Sequence, residues 1–164
     1  MKCKSFYTFI RSELYFFLTF EAEKEYSCFR RYHMSQLFVG IKGKTSFTVK
    51  EGQTAMSMKS GTLDVLATPA VIALAEECAW KSIQDYLPQG QTTVGIYIQM
   101  EHKAPTPLGM DVVCQTELIK TEGRKLTFSF TVYDSGDEIA TGVHKRFIVN
   151  SAEFIKKVSE KHSK

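Results

Sequence analysis

LATPAVIALAEECAWKSI, residues 66–83, is the stretch whose reading decides the fold. It is mostly apolar, and Thr68-Pro69 at its head reads as a helix start, since threonine can cap and proline suits the first turn. The pattern runs on to about Leu87 and is stopped by Pro-Gln-Gly at 88–90. So apolar a helix is expected to be buried. Yet Glu76 and Glu77 sit at its centre. Burying an ionised carboxylate without a partner is costly, so a buried acid here needs a reason.

Outward from the helix, the chain reads as strands. Residues 38–49 alternate β-branched and aromatic side chains with Lys and Thr, as a strand does. Residues 50–65 are rich in Gly, Ser and Thr and read as a loop. After the helix, Thr92 to His102 alternates cleanly. Val94, Ile96, Ile98, Met100 and His102 are expected on one face, with Thr93, Gly95, Tyr97, Gln99 and Glu101 on the other. Lys-Ala-Pro-Thr-Pro-Leu-Gly at 103–109 ends that strand. Three more strands follow at 110–120, 125–133 and 138–150, joined by the hairpin-like turns Thr-Glu-Gly-Arg (121–124) and Asp-Ser-Gly-Asp (134–137). Ser151 is placed to cap a short last helix. Short links imply antiparallel pairing, and one long helix on one such sheet is an α+β layer architecture. The second face of the sheet and the apolar girth of the helix both suggest a homodimer.

The whole chain of 164 residues suits one domain with a real core. A net charge of +3, without a basic helix, zinc-finger spacing or RNP-like strand, argues against nucleic acid. Cys3, Cys28, Cys78 and Cys114 show no metal spacing and read as reduced thiols of a cytoplasmic protein. Residues 1–33 differ from the rest. They are aromatic-rich, but their longest apolar run, Leu14 to Phe20, is far below the roughly 20 residues a membrane span needs. They also lack the pattern of a signal peptide. They are read as an amino-terminal appendage to a domain spanning residues 34–164, with no membrane partner.

Three segments together resemble the hotdog-fold acyl-CoA thioesterases related to fluoroacetyl-CoA thioesterase. They are LATPAVIALAEECA (66–79), GQTTVGIYIQMEHKAPTPLGM (90–110) and the region from EGRKLTFSFTVYD (122–134) through DEIATGVHKRFIV (137–149). The resemblance covers roughly residues 37–158, and the second segment is its most specific part. It implies a hotdog fold, with a long central helix on a five-stranded, mainly antiparallel sheet. It also implies hydrolysis of an acyl-CoA to free acid and CoA, with no metal or cofactor beyond the CoA carried by the substrate. The family's catalytic set of Thr, Glu and His matches Thr68, Glu76 and His102, and its glycine beside the thioester matches Gly95. The stretch before Thr68, SGTLDVLA (60–67), lacks the phenylalanine of the fluoroacetyl enzyme's lid, so fluorine discrimination is not implied.

The residues can also be read on their own. An acid in a dry pocket is poised for base work, whereas Glu77, one residue on, reads as an ordinary exposed helix glutamate. His102 shares the layer of the helix acid and would find in Glu76 a partner that orients it. Thr68 reads equally as a simple cap. If Thr68 and Glu76 share one continuous helix, eight residues separate them by ~12 Å along its axis, too far to touch. Gly95 interrupts a β-branched strand, either for packing or for close approach of backbone to ligand. His144 is a weaker candidate than His102, and His33 and His162 read as solvated. Arg124, Lys125, Lys145 and Arg146 fit a solvated face better than a phosphate site for CoA. Two other functions remain open: an acyl-CoA-binding module without chemistry, and a hotdog hydratase acting on an enoyl thioester.

Overall fold

The structure, a computed structural model, describes residues 37–161, which belong to one compact unit. The amino-terminal appendage expected at 1–33, with His33, and the terminal His162 lie outside the described residues. The elements are β1 (Lys42–Thr48), α1 (Thr68–Ile83), β2 (Gln91–His102), β3 (Asp111–Glu122), β4 (Lys125–Asp134), β5 (Asp137–Asn150) and α2 (Ser151–Ser159). The five strands form a single sheet in the order β1-β3-β4-β5-β2, and every neighbouring pair is antiparallel. Helix α1 crosses one face of it. None of the described helices is long and apolar enough to cross a membrane.

Helix α1 buries Ala70, Val71, Leu74, Ala75, Cys78, Ala79 and Ile83. Four of these seven are Ala or Val and one is Cys, so the helix lies close to the sheet. Around its first turns they pack with Val112, Cys114, Phe130, Val132 and Ile139. Around its last turn they pack with Ile41, Leu118, Leu126 and Phe128. The helix is not apolar all round, as its sequence suggested. Ala73 and Trp80 are exposed, and Glu76 and Glu77 lie between them on the outward side. The other face of the sheet is mixed, with Val113 and Val143 among polar side chains. Ser129, Thr131, Tyr133, Thr141 and Lys145 stand there, and none is buried.

Two local readings change and one gains detail. The first strand is shorter than residues 38–49, because Gly40 takes a left-handed turn (φ +102°) that leaves Phe38 and Val39 exposed. Residues 50–65 form a closed loop: Ala55 N donates to Val65 O at 2.9 Å and Met56 N to Leu63 O at 3.2 Å. Its inside is held by the buried Thr54 hydroxyl, 3.1 Å from the Asp64 carboxylate. At α2 the cap is Asn150, whose side chain accepts from Glu153 N at 3.1 Å, and Ser151 is the first helical residue.

The largest correction concerns the faces of β2. Gly95 pairs with Arg146 and Tyr97 with Lys145, so Ile96 is an extra, bulged residue. The inward phase therefore switches at Ile96. Beyond it Ile98, Met100 and His102 face α1, as expected. Before it Thr93 and Gly95 face inward instead, and Ile96 and Tyr97 are exposed.

Leu74 is 2% exposed at the middle of α1. Leu74→Ala is expected to lower unfolding stability in urea by about 2–5 kcal/mol, since the sheet beneath cannot close over the void.

Candidate active site

Thr68 stands in the first turn of α1, and Ala67 holds the cap position without a side-chain bond. The Thr68 hydroxyl is therefore free of the capping role its position suggested. Instead its Oγ1 lies 3.0 Å from His102 Nδ1. The other ring nitrogen of His102, Nε2, is buried and has no hydrogen-bond partner among the described residues. A polar atom left in that state is uncommon and often marks a site. Burial holds His102 below the ordinary histidine range, with a smaller opposing effect from the Ala104 backbone.

The segment after His102 is tied down at both ends of the pair. Thr106 is buried; its hydroxyl donates to the Asp134 carboxylate at the end of β4. Its carbonyl accepts from Leu66 N at 2.8 Å, just ahead of Thr68. Lys103 N donates to Ile139 O at 2.7 Å, and its ammonium pairs with Glu138. Thr106 thus ties the helix start that carries Thr68 to the end of β4, and Lys103 ties the end of β2 that carries His102 to β5.

Glu76 does not join them. Thr68 and Glu76 do share one continuous helix, and ~12 Å of axial rise separates them. Within one chain Glu76 and His102 do not pair. The Glu76 carboxylate instead lies against Gly95 and His144, with Oε1 3.6 Å from His144 Nε2. A Cβ added to Gly95 would come within 2.2 Å of that same oxygen. A side chain here would push the carboxylate aside, and what its absence admits within one chain is the carboxylate. Nor is Glu76 as dry as an apolar helix suggested, for its side chain is 43% exposed in the single chain.

His144, ranked below His102 from sequence, is the buried histidine of the pair. It is 1% exposed. Its Nδ1 lies 2.9 Å from the Tyr97 carbonyl, which can only accept, so Nδ1 carries the proton. Nε2 then accepts from Arg146 Nη1 at 3.0 Å. Burial keeps His144 below the ordinary range; the Tyr97 bond raises it, Arg146 lowers it and Glu76 raises it. Arg146 does not belong to a solvated face. It is 6% exposed and also donates from Nε to Thr93 Oγ1 and from Nη2 to Thr93 O, both at 2.8 Å. Burial lowers its pKa and the charge of Glu76 raises it. The only sequence signal for this pair was position. His144 and Arg146 alternate on a strand whose partner changes phase at Ile96.

The remaining cations do lie outside: Arg124 packs over the Phe147 ring at 4.8 Å, and Lys145 over Tyr97 at 4.7 Å. Glu77 is half-exposed and pairs with Lys81, as an ordinary helix glutamate. Among the described residues no three His, Cys, Asp or Glu side chains gather as a metal site would need. Cys78 and Cys114 are free and buried. A cavity of about 260 Å³ opens at the Thr68–His102 pair, with Val65, Leu66 and Pro105 on its apolar side and Ser60 and Lys103 on its polar side. A larger groove of about 410 Å³, with Lys42, Lys44, Gln115 and Tyr133 at its sides, lies away from both pairs.

A hydroxyl paired with an imidazole, and an acid held separately on the same helix, sit on a helix-on-sheet frame of the hotdog type, and the class is that of a thioester hydrolase. Residues 49–152 match the model of the fluoroacetyl-CoA-specific thioesterase family, and the chain belongs to that family. The fluoroacetyl-CoA thioesterase of Streptantibioticus cattleyicolor is 34% identical over 98 residues, 60% of this chain and 70% of that protein. A solved structure of the fluoroacetyl-CoA thioesterase FlK superposes with a TM-score of 0.74 at 28% identity, covering 77% of this chain and 98% of that one. A hot-dog-like protein from Thermanaerovibrio acidaminovorans has the same fold, with a TM-score of 0.69 at 24% identity over 75% of this chain and 91% of that one.

Both imidazoles are held below the ordinary histidine value of ~6.5 by burial. As pH falls through that value the unfolded chain takes up protons first. Stability that is full above ~6.5 is therefore lost below it. Urea unfolding across about pH 7.5 to 5 is expected to show this decline, and a shallower one for His144→Gln.

Proposed function

We propose that the protein hydrolyses short acyl-CoA thioesters, with Thr68 and His102 of one chain and Glu76 of a second chain at each site. The observation that carries this reading is the 3.0 Å contact of the Thr68 hydroxyl with His102 Nδ1, the arrangement of a hydroxyl nucleophile and its base. In the first step Thr68 Oγ1 attacks the thioester carbonyl as His102 takes the hydroxyl proton. The tetrahedral intermediate collapses, the carbon–sulfur bond breaks, and His102 returns the proton to the leaving CoA thiolate. In the second step Glu76 takes a proton from water, which attacks the acyl-threonine ester. The intermediate collapses, the ester bond to Thr68 Oγ1 breaks, Glu76 gives its proton to that oxygen, and the acid leaves with the Thr68 hydroxyl and the Glu76 carboxylate both restored. Backbone N–H groups near Gly95 or at the start of α1 are suited to the oxyanion. The cavity beside Thr68 is small and lined by Ala55, Val65, Leu66 and Pro105 together with Ser60 and Lys103, which suits a short acyl group. The lid stretch 60–67 brings no aromatic ring to it, so a fluorinated acyl group is not required.

Two features support a homodimer. The Thr68–His102 and Glu76–Gly95 groups cannot meet within one chain. And β2, twelve residues long with only β5 beside it, leaves one edge unpaired. Such an edge invites another strand. Antiparallel pairing of β2 with its copy lays the His102 end of each strand along the Gly95 half of the other, and covers the exposed Ile96 and Tyr97 near that edge. The catalytic unit is residues 34–164. The free thiols of Cys78 and Cys114 are in keeping with a cytoplasmic location.

Thiol release from a panel of acyl-CoAs tests the activity. Glu76→Gln is expected to lower kcat/KM by about 10²–10⁴-fold, the usual worth of a general base, while Glu77→Gln stays near wild type. Thr68→Val and His102→Ala are expected to be similarly damaging, with the double variant little worse than either. Saturable binding without turnover would replace the enzyme by a binding module, and hydration of an enoyl-CoA would replace it by a hydratase. Light scattering at micromolar concentration is expected to give twice the chain mass, and a monomer that turns over would sink the shared site.

A further inference from the structure

The reaction above leaves the imidazole of His144 unused. His144 is fully buried, is a titratable residue, and touches Glu76. Its ring is fixed on both sides. Tyr97 O accepts from Nδ1–H, and Arg146 Nη1 donates to Nε2. Only the neutral ring satisfies both bonds, because a proton on Nε2 would face the guanidinium. The groups facing the ring are Glu76 from α1, Arg146 from β5 itself, the Tyr97 carbonyl and Ile98 from β2, and the apolar Phe128 from β4. Arg146 is held in turn by two bonds to Thr93. The Glu76 carboxylate therefore meets a wall that cannot turn: the imidazole edge on one side and the bare Cα of Gly95 on the other. A long glutamate on a half-exposed helix face has several rotamers open to it. This wall selects one.

We infer that His144 is a positioning residue for Glu76, holding its carboxylate in one orientation against Gly95 so that it meets the reacting water. The inference rests on the role of Glu76 given above, and it adds a role for a residue outside the Thr68, Glu76 and His102 set. Arg146 acts one step further back, by fixing the ring and supplying the positive field beside the acid. Thr93 acts behind Arg146.

The contact itself is tested on the full chain without reference to activity. The carboxylate of Glu76 favours proton uptake by His144. The imidazole signal of His144 in a proton NMR titration is therefore expected to move to a lower midpoint in Glu76→Gln. An unmoved midpoint overturns the inference. The role is tested by kinetics. His144→Leu fills the space without a polar edge, and is expected to lower kcat by about 10- to 100-fold with little change in KM, the scale of a misplaced catalytic group. His144→Gln, whose amide can accept from Arg146 and face Glu76, is expected to recover most of that loss. Gly95→Ala, which displaces the same carboxylate from the other side, is expected to match His144→Leu. It serves in its place if that variant does not fold. A folded His144→Leu enzyme with kcat within about twofold of wild type, or a Gln variant no better than Leu, overturns the positioning role. Normal turnover by Glu76→Gln would instead remove the reading of Glu76 on which the inference rests, so the two failures are told apart.

Discussion

Helix α1 can lie close on the sheet because the side chains it turns inward are mostly small. Ala70, Ala75, Cys78 and Ala79 leave room for Phe128 and Phe130 to stand up from β4 and fill the layer between. Such a packed interior tolerates little displacement. With the helix fixed in height and rotation, its outward stripe is fixed too, and so are the two chemical groups at its first and third turns. Thr68 reaches over the end of β2, and Glu76 reaches over the same strand nearer its start. A bulkier inward face would lift the helix and lose both contacts.

The second constraint is one extra residue in a strand. Gly95 and His102 are seven apart, an odd number, and in a regular strand they would face opposite ways. The bulge at Ile96 brings both to the helix side. It also turns Tyr97 so that its carbonyl meets His144 and its ring lies under Lys145. A single backbone irregularity thus sets the inward glycine, the inward histidine and the tautomer of the buried imidazole. Bulges recur beside active sites for this kind of reason.

Both functional groups are backed by buried polar contacts that cost more than an apolar core would. Asp134 is tied to Thr106, and Arg146 to Thr93 and His144, each at low exposure. Burying a charge is unfavourable unless its hydrogen bonds are nearly complete, and little stability is gained even then. What these contacts provide is position. Thr106 braces the helix start beside Thr68 through side chain and backbone together, and Arg146 braces the imidazole beside Glu76.

Much of this was legible in the sequence because it depends on local pattern. The apolar run at 66–83, the turn residues at 121–124 and 134–137, and the break at 103–109 mark the helix, the hairpins and the antiparallel order. The run at 66–83 carries Thr68 and Glu76, and the alternating stretch ahead of the break carries Gly95 and His102, so the residues of interest could be named before they could be placed. Their partners could not. Which side chain Glu76 meets depends on the phase of β2, and no alternation of apolar and polar residues announces a bulge when Ile96 fits either face. Arg146 looked like one more surface cation beside Lys145, because strand spacing tells which residues share a face but not which face lies under a helix. Composition and periodicity determined the elements and their order. The register of β2 against β5, set by long-range backbone pairing, decided which groups stand together.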